Sequence, residues 1–380
     1  MAATSESFGL RLAHSAADYD EESLYNTVSV NLSNSAFKYS GGVLLPDGRV
    51  VFVPFSATTV GIFNPATNAY STIEGAPGGA AYAGGVLLSD GRVVFVPHYA
   101  TTIGIFNPAT NEYSTIAGAP GGGAYSGGVL LPDGRVVFVP SNATKIGIFN
   151  PETNAYSTIA RAPGGVAYVG GVLLRDGRVV FVPCYATTIG IFNPTTNAYS
   201  TIAGAPGNGA YGDGVLLPDG RVVFTPHIAD NIGIFDPATN AYSTIAGPSG
   251  DGAYNGGVLL SDGRVIFVPA NSKKIGIFNP TTNAYSTIAG APGRYAYNSG
   301  VLLRDGRVVF VPCSANNIGV LALYNERARL RAQARTEAVK AELVAAAWHP
   351  KRMARWCLDE DERREMAEMG LGLCDATATA

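Results

Sequence analysis

Cysteine is scarce in this chain, and its four cysteines do not form the pattern of a disulfide framework. Cys184 and Cys313 stand in separate repeats, while Cys357 and Cys374 lie near the C-terminus. Long apolar stretches are missing too: no run of 18 apolar residues occurs, and residues 1–26 lack the apolar core of a signal peptide. These absences predict an intracellular protein, cytoplasmic or nuclear, with no membrane association.

An excess of basic residues is also missing. The chain has 26 Lys and Arg against 29 Asp and Glu, a net charge of −3, and no basic stripe runs through it. Because nucleic-acid binding requires cations that neutralise phosphates, nucleic acid is not an expected partner. No Ser-His-Asp or Cys-His set falls at positions that one face could unite, so the sequence does not predict nucleophilic catalysis.

A tripeptide repeat with constant spacing dominates the rest of the sequence. Asp-Gly-Arg occurs seven times, 43 residues apart, beginning at Asp47, Asp90, Asp133, Asp176, Asp219, Asp262 and Asp305. Repeats of about 40–50 residues made of short β-type runs and Gly, Pro or Asn turns are typical of β-propeller blades. We therefore predict an all-β fold, a seven-bladed β-propeller of four-stranded blades.

Each repeat has room for four strands, called a to d from the first to the last. In the second copy these are predicted over residues 82–88, 92–97, 103–106 and 112–116. The Asp90-Gly91 pair between strands a and b suits the positive φ angles of a two-residue type I′ turn. Paired glycines in strand a are expected where innermost strands converge on the axis, and the recurring tyrosine of strand a is expected to fill a gap between blades.

The seventh copy lacks strand d, since a charged segment of helical pattern follows Leu323. Counting back one repeat from residues 70–73 places the missing strand at residues 27–30, so an N-terminal strand is predicted to close the ring. The predicted organisation is a loosely packed or disordered segment (1–26), a propeller (27–323, with strand 27–31 completing blade seven), a short α-helical C-terminal tail (324–370) and a disordered end (371–380). Trp348, Met353 and Trp356 are expected to pack these helices on the propeller, with partner docking as the alternative.

The repeat from Gly128 to Ser157 resembles kelch repeats and the propeller of galactose oxidase, through its Asp-Gly hairpin and its Asn-Pro-x-Thr turn followed by an aromatic residue. Val139-Pro140 stands where kelch repeats have Gly-Gly, and Tyr156 where they usually have Trp. Pro-Asp-Gly and Ile-Gly-x-x-(Asp/Asn)-Pro are similar to streptogramin-lyase-like and senescence-marker-protein-like (SMP30-like) propellers. The resemblance implies the fold. The copper ligands of galactose oxidase match no positions here, and no cofactor is expected.

The seven copies differ mainly in the loops between strands b and c and in the linkers from strand d to the next strand a. Strand alternation places these segments on one face of the disc, where diversity over a constant scaffold indicates recognition; drift of tolerant loops is the alternative. The residues predicted to meet a ligand or partner on this face are His98, Tyr99, Lys145, Tyr185, Asp213, His227, Asp230, Lys273, Lys274, Arg294 and Tyr295.

Two groups within this set have distinct chemistry. Asp213, His227 and Asp230 of blade five are the candidates for divalent-cation ligands, although acidic loop residues are ordinarily solvated and no metal is predicted. Lys273, Lys274 and Arg294 suggest an anionic group on the ligand.

The sequence thus predicts a monomeric, non-catalytic binding scaffold for an unidentified protein or small ligand. A metal-dependent hydrolase or lyase centred on blade five and a structural element of a larger assembly are the alternatives.

Overall fold

The computed structural model describes residues 25–32, 36–159, 161–248 and 251–323. These residues form seven four-stranded antiparallel sheets arranged in a ring, which confirms the seven-bladed β-propeller. The part of the chain that is described contains no helix, and so no helix that could cross a membrane. The predicted N-terminal segment, up to residue 24, and the predicted C-terminal helices lie outside the described residues.

Each blade uses four consecutive strands, except that blade seven takes its outermost strand from the N-terminus. Blade one contains β2 (Tyr39–Leu44), β3 (Val50–Pro54), β4 (Thr59–Asn64) and β5 (Ala69–Glu74); blade two contains β6 (Tyr82–Leu87), β7 (Val93–Pro97), β8 (Thr102–Asn107) and β9 (Glu112–Ala117). Blade three contains β10 (Tyr125–Leu130), β11 (Val136–Pro140), β12 (Ile146–Asn150) and β13 (Ala155–Ile159); blade four contains β14 (Tyr168–Leu173), β15 (Val179–Pro183), β16 (Thr188–Asn193) and β17 (Ala198–Ala203). Blade five contains β18 (Tyr211–Leu216), β19 (Val222–Pro226), β20 (Asn231–Asp236) and β21 (Ala241–Ala246); blade six contains β22 (Tyr254–Leu259), β23 (Val265–Pro269), β24 (Lys274–Asn279) and β25 (Ala284–Ala289). Blade seven contains β26 (Tyr297–Leu302), β27 (Val308–Pro312), β28 (Asn317–Leu321) and β1 (Tyr25–Ser29).

The ring is closed by β1, which pairs antiparallel with β28 so that Tyr25 faces Leu321. The predicted closing strand is therefore confirmed, although it begins two residues earlier than expected. The hydroxyl groups of Tyr25 and Tyr297 are 2.7 Å apart, reproducing the contact between Tyr82 and Tyr113 in blade two at 2.6 Å. Strand β1 thus covers the edge of β28 as an ordinary fourth strand would.

Lys38 marks the junction between blades seven and one. Other copies have alanine at the corresponding linker position, yet the Lys38 side chain is buried, and its Nζ donates to the carbonyl oxygens of Ser314 at 3.4 Å and Ala315 at 3.2 Å. Burial lowers the pKa of Lys38. This lysine therefore gives the closing junction contacts that no other junction has.

The core consists of apolar layers between neighbouring blades, supplied mainly by the fully buried strand b of each blade. Tyr82 packs in one such layer, which also contains residues of blade one, and this confirms the predicted role of the recurring tyrosine. A Cβ atom added to Gly104 of strand c would lie 3.0 Å from Tyr82 Cζ and 2.9 Å from Phe95. Strand c therefore needs glycine beneath the tyrosine ring.

The turn between strands a and b is not the predicted type I′. Gly48 N donates to Leu45 O at 3.0 Å, Leu45 N donates to Arg49 O at 2.8 Å, and Gly48 has φ +89° whereas Asp47 does not have positive φ. This is a three-residue loop, a type I turn followed by a glycine bulge. Glycine is constant because one residue needs positive φ, and Asp47 is constant because it accepts from Arg49 N at 3.0 Å and Arg49 Nε at 2.8 Å.

Backbone hydrogen bonds join the b–c loops and d–a linkers at one end of the ring. Ala81 N donates to Phe55 O and His98 N to Ala81 O, both at 2.8 Å, and equivalent bonds recur around the ring. We call this end the variable face. The opposite end, the constant face, carries the a–b and c–d turns, and there Arg49 Nη2 donates to Pro108 O of the next blade at 3.1 Å.

Candidate functional site

Large apolar side chains are exposed only on the variable face within the described residues. Their exposed fractions lie between 37% and 54%. They are Phe37, Tyr99, Val166, Tyr185, Ile228 and Tyr295. Each lies on a b–c loop or a d–a linker, and a concentration of exposed apolar residues on one side of a soluble fold is typical of an interaction surface.

Three of these side chains stand on left-handed backbone. The same linker position has φ between 55° and 73° in all seven copies and is occupied by Phe37, Ala80, Gly123, Val166, Gly209, Gly252 and Tyr295. Glycine adopts this conformation freely, whereas other residues there cost about 1–3 kcal/mol each, and β-branched residues are rarest. Phe37, Val166 and Tyr295 therefore combine backbone strain with apolar exposure, which points to a role outside folding.

Aromatic rings form two groups on this face. Phe37 and Tyr295 are 5.8 Å apart between ring centroids, next to the junction of blades seven and one. His98 contacts Tyr99 at 4.9 Å and Phe55 at 5.7 Å, on blades one and two. The face therefore offers adjacent rings for contact with a ligand.

The two loop histidines are held in one tautomer. His98 Nδ1 lies 2.8 Å from Tyr125 O, and His227 Nδ1 lies 3.0 Å from Tyr254 O. Because a carbonyl oxygen only accepts, each Nδ1 carries the proton and each Nε2 is left as an acceptor. Burial lowers the pKa of both imidazoles, which favours the neutral form.

The predicted cationic residues Lys145, Lys273, Lys274 and Arg294 are all exposed. A Cβ atom placed on Gly293 would lie 3.5 Å from Lys273 Cγ, so Lys273 stands beside the linker that carries Arg294. Tyr295 N donates to Asn271 Oδ1 at 3.0 Å, which fixes that linker to the loop of blade six. The structure thus places Lys273 and Arg294 in one patch, whereas Lys145 lies apart on blade three.

The central channel encloses about 330 Å³ and is lined mainly by strand a of the seven blades. Asp213 lies on its wall, half-buried, where the carboxylate accepts from Gly214 N at 2.8 Å and Gly257 N at 3.1 Å. Burial outweighs these bonds and raises the pKa of Asp213 to about 6. His227 and Cys184 also line the channel, and burial raises the pKa of the Cys184 thiol to about 11.

The three candidate metal ligands do not all meet. Asp213 and His227 both border the channel, but Asp230 is exposed on its loop and accepts from Asn231 Nδ2 at 3.3 Å. Across residues 25–32, 36–159, 161–248 and 251–323, no three His, Cys, Asp or Glu side chains are grouped so that they could hold a metal ion.

Sequence reasoning missed Phe37, Val166 and Ile228 on the variable face, and Thr225, which faces Asp213 from strand β19. Thr225 could have been found by comparing copies, because the other six have valine at that position. Phe and Val do not themselves predict the left-handed backbone found at residues 37 and 166. It could have been inferred only from the glycines at equivalent positions of other copies.

Comparison with known proteins gives relatives in fold but no family. No family model and no curated protein matches the chain. A solved streptogramin B lyase is 18% identical with a TM-score of 0.67, over 79% of this chain and 97% of that one. A catalytically inactive histidine-to-alanine variant of virginiamycin B lyase from Staphylococcus aureus, with quinupristin, has the same identity and TM-score over 79% and 99%. Hydrazine synthase from Kuenenia stuttgartiensis is 12% identical with a TM-score of 0.63, over 78% and 98%.

These likenesses establish a seven-bladed β-propeller and nothing finer, because their sequence identities are low. The similarity to streptogramin-lyase-like propellers extends to the fold, whereas membership in the kelch family stays a prediction. A propeller of this kind is compatible with a binding scaffold, and its chemistry must be argued from its own side chains.

Proposed function

We propose that this protein is a non-catalytic binding scaffold that recognises a protein partner through its variable face. One observation carries the proposal: every large apolar side chain exposed on the described residues lies on that face. Three of them, Phe37, Val166 and Tyr295, occupy positions where glycine would relieve backbone strain. Residues that cost stability and cover no core are best explained by contacts with another molecule.

The charges on this face give the partner its chemistry. Arg294 directly precedes Tyr295 of the Phe37–Tyr295 pair, and Lys273 stands beside the same linker, so these two exposed cations lie close to the pair. Lys274 is exposed on the same blade as Lys273. Aromatic anchors surrounded by cations suit a segment that combines apolar side chains with carboxylates. The proposed partner is therefore a protein that presents an acidic segment with apolar anchors.

Two variants with an equal number of changes test this assignment. Tyr185→Ser and Tyr295→Gly introduce residues that other copies have at these positions and remove two anchors of the variable face. Ala66→Glu and Ala109→Glu alter the constant face, where Glu152 is the native residue of the third copy. Partners captured by the wild-type protein should be purified and their dissociation constants measured against all three proteins.

We expect the variable-face variant to bind at least about tenfold more weakly, and the constant-face variant to bind as wild type does. Both variants should keep the wild-type unfolding midpoint to within a few degrees. If binding survives the first pair of changes and is lost with the second, recognition lies on the constant face and the proposal is wrong.

A metal-dependent hydrolase or lyase centred on blade five is the second candidate. It is favoured by the open Nε2 of His227 at the channel and by the likeness in fold to a lyase for which a histidine-to-alanine variant is inactive. Elemental analysis of the purified protein distinguishes the two candidates. One equivalent of divalent metal that is lost in Asp213→Ala would favour the enzyme, and its absence would favour the scaffold.

A further inference from the structure

Along the central channel, strand a of each blade lies so close to strand a of the next that there is almost no room for side chains between them. Blade five nevertheless has a carboxylate there. At the axial position of strand a, five copies have glycine, and Asp213 and Ser299 are the exceptions. A Cβ atom added to Gly84 would lie 3.1 Å from Gly127 Cα, and one on Gly256 would lie 3.0 Å from Ser299 Cα. Asp213 therefore occupies a position that packing between strands normally reserves for glycine.

A second exception lies directly opposite the first. Asp213 is the register partner of Thr225 on the neighbouring strand β19, where every other copy has valine. Thr225 is fully buried, and its Oγ1 has no hydrogen-bond partner among the residues that the structure describes. Two facing positions have thus both become polar in this blade, and an unpartnered buried hydroxyl costs stability unless another group satisfies it.

Blades six, seven and one add a directional row of hydrogen bonds along the channel. Ser40 Oγ donates to Tyr82 O at 2.7 Å, Asn298 Nδ2 donates to Ser40 O, and Asn255 Nδ2 donates to Asn298 Oδ1 at 2.8 Å. Because Ser40 O can only accept, the row fixes the orientation of both amides. Asn255 Oδ1 is consequently left as an acceptor on the blade next to Asp213.

The negative charge of Asp213 has no cationic partner in the described part of the chain. The ion pairs found there join the Asp and Arg residues of the constant-face turns. A carboxylate that is partly buried without a counter-charge is unfavourable, and a cationic ligand would remove that cost. The channel therefore has one anionic group, a neutral acceptor on the adjacent blade and about 330 Å³ of space.

We propose that the central channel binds a small organic ligand that carries a protonated amine, with the ammonium group on the Asp213 carboxylate and Asn255 Oδ1 as its second acceptor. A divalent metal ion fits less well, since the described residues bring together no three His, Cys, Asp or Glu side chains. The volume is near the lower end of the range for small-molecule sites, which favours a small amine over a large one. This site uses channel residues and not the exposed apolar residues of the variable face, although His227 and Cys184 of that face also line the channel.

Ligand-observed NMR with the full-length protein near neutral pH tests the proposal. The probes are methylamine, n-butylamine and benzylamine, with 1-butanol and benzyl alcohol as neutral counterparts and MgCl2 as competitor. We expect saturable binding of at least one amine, no saturable binding of the alcohols and no displacement by MgCl2. Asp213→Asn should weaken amine binding about tenfold or more, because it removes the charge and keeps the shape.

Two further variants make the result decisive. Asp213→Gly restores the residue of most other copies, so it should fold and should also lose amine binding. Asp230→Asn removes an exposed carboxylate of the same blade and should leave binding unchanged. Three outcomes would overturn the proposal: no amine binds up to about 50 mM, binding is the same in Asp213→Asn, or MgCl2 displaces the amine and itself binds in an Asp213-dependent way.

Discussion

The two faces of the propeller are built from the same repeat but hold the blades together by different means. On the constant face, side chains carry the contacts: Arg92 pairs with Asp90 at 2.8 Å and also donates to Pro151 O of the next blade at 3.2 Å. On the variable face, the contacts that recur around the ring come from backbone groups, as when Ala124 N donates to His98 O at 3.0 Å. The contacts between blades on the constant face therefore require particular side chains. The recurring contacts on the variable face require only that the backbone keeps its course.

This difference explains where the copies can vary. Replacing Asp90 or Arg92 would remove the interactions that shape the turn, so all seven copies keep the tripeptide. Replacing the side chain at residue 98 leaves its backbone bonds intact, and the copies have Phe, His, Ser, Cys or Ala there. Variation is thus permitted on the variable face by its backbone bonding. Exposure and left-handed strain at Phe37, Val166 and Tyr295 support the proposal that part of the variation serves binding.

Both faces require a closed ring, so the largest effect should come from removing the closing strand. Deleting residues 1–31 removes β1 and exposes the backbone of β28, and we expect aggregation or loss of cooperative unfolding. Deleting residues 1–20 keeps β1 and should leave the unfolding midpoint nearly unchanged. Thermal unfolding and size-exclusion chromatography of both truncations check this. Equal behaviour of the two proteins would mean that the pairing of β1 with β28 is dispensable.

Asp213 gives a second test, because it is a difference between copies that lies on the channel wall and not on an exposed loop. The folded-state pKa of about 6 lies above the unfolded value near 4, so ionisation opposes folding as pH rises through this interval. The stability of Asp213→Asn relative to wild type should therefore rise by about 1–3 kcal/mol from pH 4 to pH 7.5. This rise is added to a loss that does not depend on pH, because the new amide NH2 cannot accept from Gly214 N or Gly257 N. Urea unfolding of both proteins from pH 4 to 7.5 measures the difference.

A difference that does not change with pH would show that Asp213 is not held in an unfavourable ionised state. Asp230→Asn is the matched control, since this carboxylate of the same blade is exposed. Its stability difference from wild type should stay small at every pH.

The constant face should lose stability when its turn glycine is replaced. Gly134 has φ +84°, and a Cβ atom added there would meet nothing within 4 Å, so any loss reports backbone strain alone. Gly134→Val should destabilise by about 1–3 kcal/mol. Gly134→Asn is the control, because Asn tolerates left-handed backbone, as at Asn111 with φ +55°. A Val variant as stable as the Asn variant would contradict the bulge geometry of the turn.

The fold could be predicted from the sequence because it follows from the spacing of the repeats. Constant 43-residue intervals predicted the blades, and the missing strand after Leu323 predicted the closure by an N-terminal strand. The turn type was wrong because Asp-Gly is compatible with more than one turn, and only the observed bonds of Leu45 and Gly48 distinguish them.

The candidate site was harder to predict, because it depends on individual residues and not on the spacing of the repeats. The comparison of loops located the variable face, but it passed over Thr225, which lies inside a buried strand where a Val-to-Thr difference resembles ordinary variation. Lys38 was missed because a lysine in a linker is expected to be solvated, whereas here the closing junction buries it. The role of Lys38 depends on neighbours in another blade, and that of Thr225 depends on Asp213 of the facing strand. The local sequence specifies neither neighbour.

The smallest expected effect tests whether strain on the variable face is kept for a purpose other than folding. Val166 has φ +57°, is 37% exposed and shares its position with three glycines. Val166→Gly should relieve about 1–2 kcal/mol of left-handed strain, and the greater freedom of glycine in the unfolded chain should return about half of that. A net stabilisation of about 0.5–1 kcal/mol in urea unfolding is expected. Val166→Ala, which matches Ala80 of blade two, should gain less because its Cβ remains. A loss of stability in the glycine variant would mean that Val166 serves the fold, and that the apolar residues of this face need no partner to explain them.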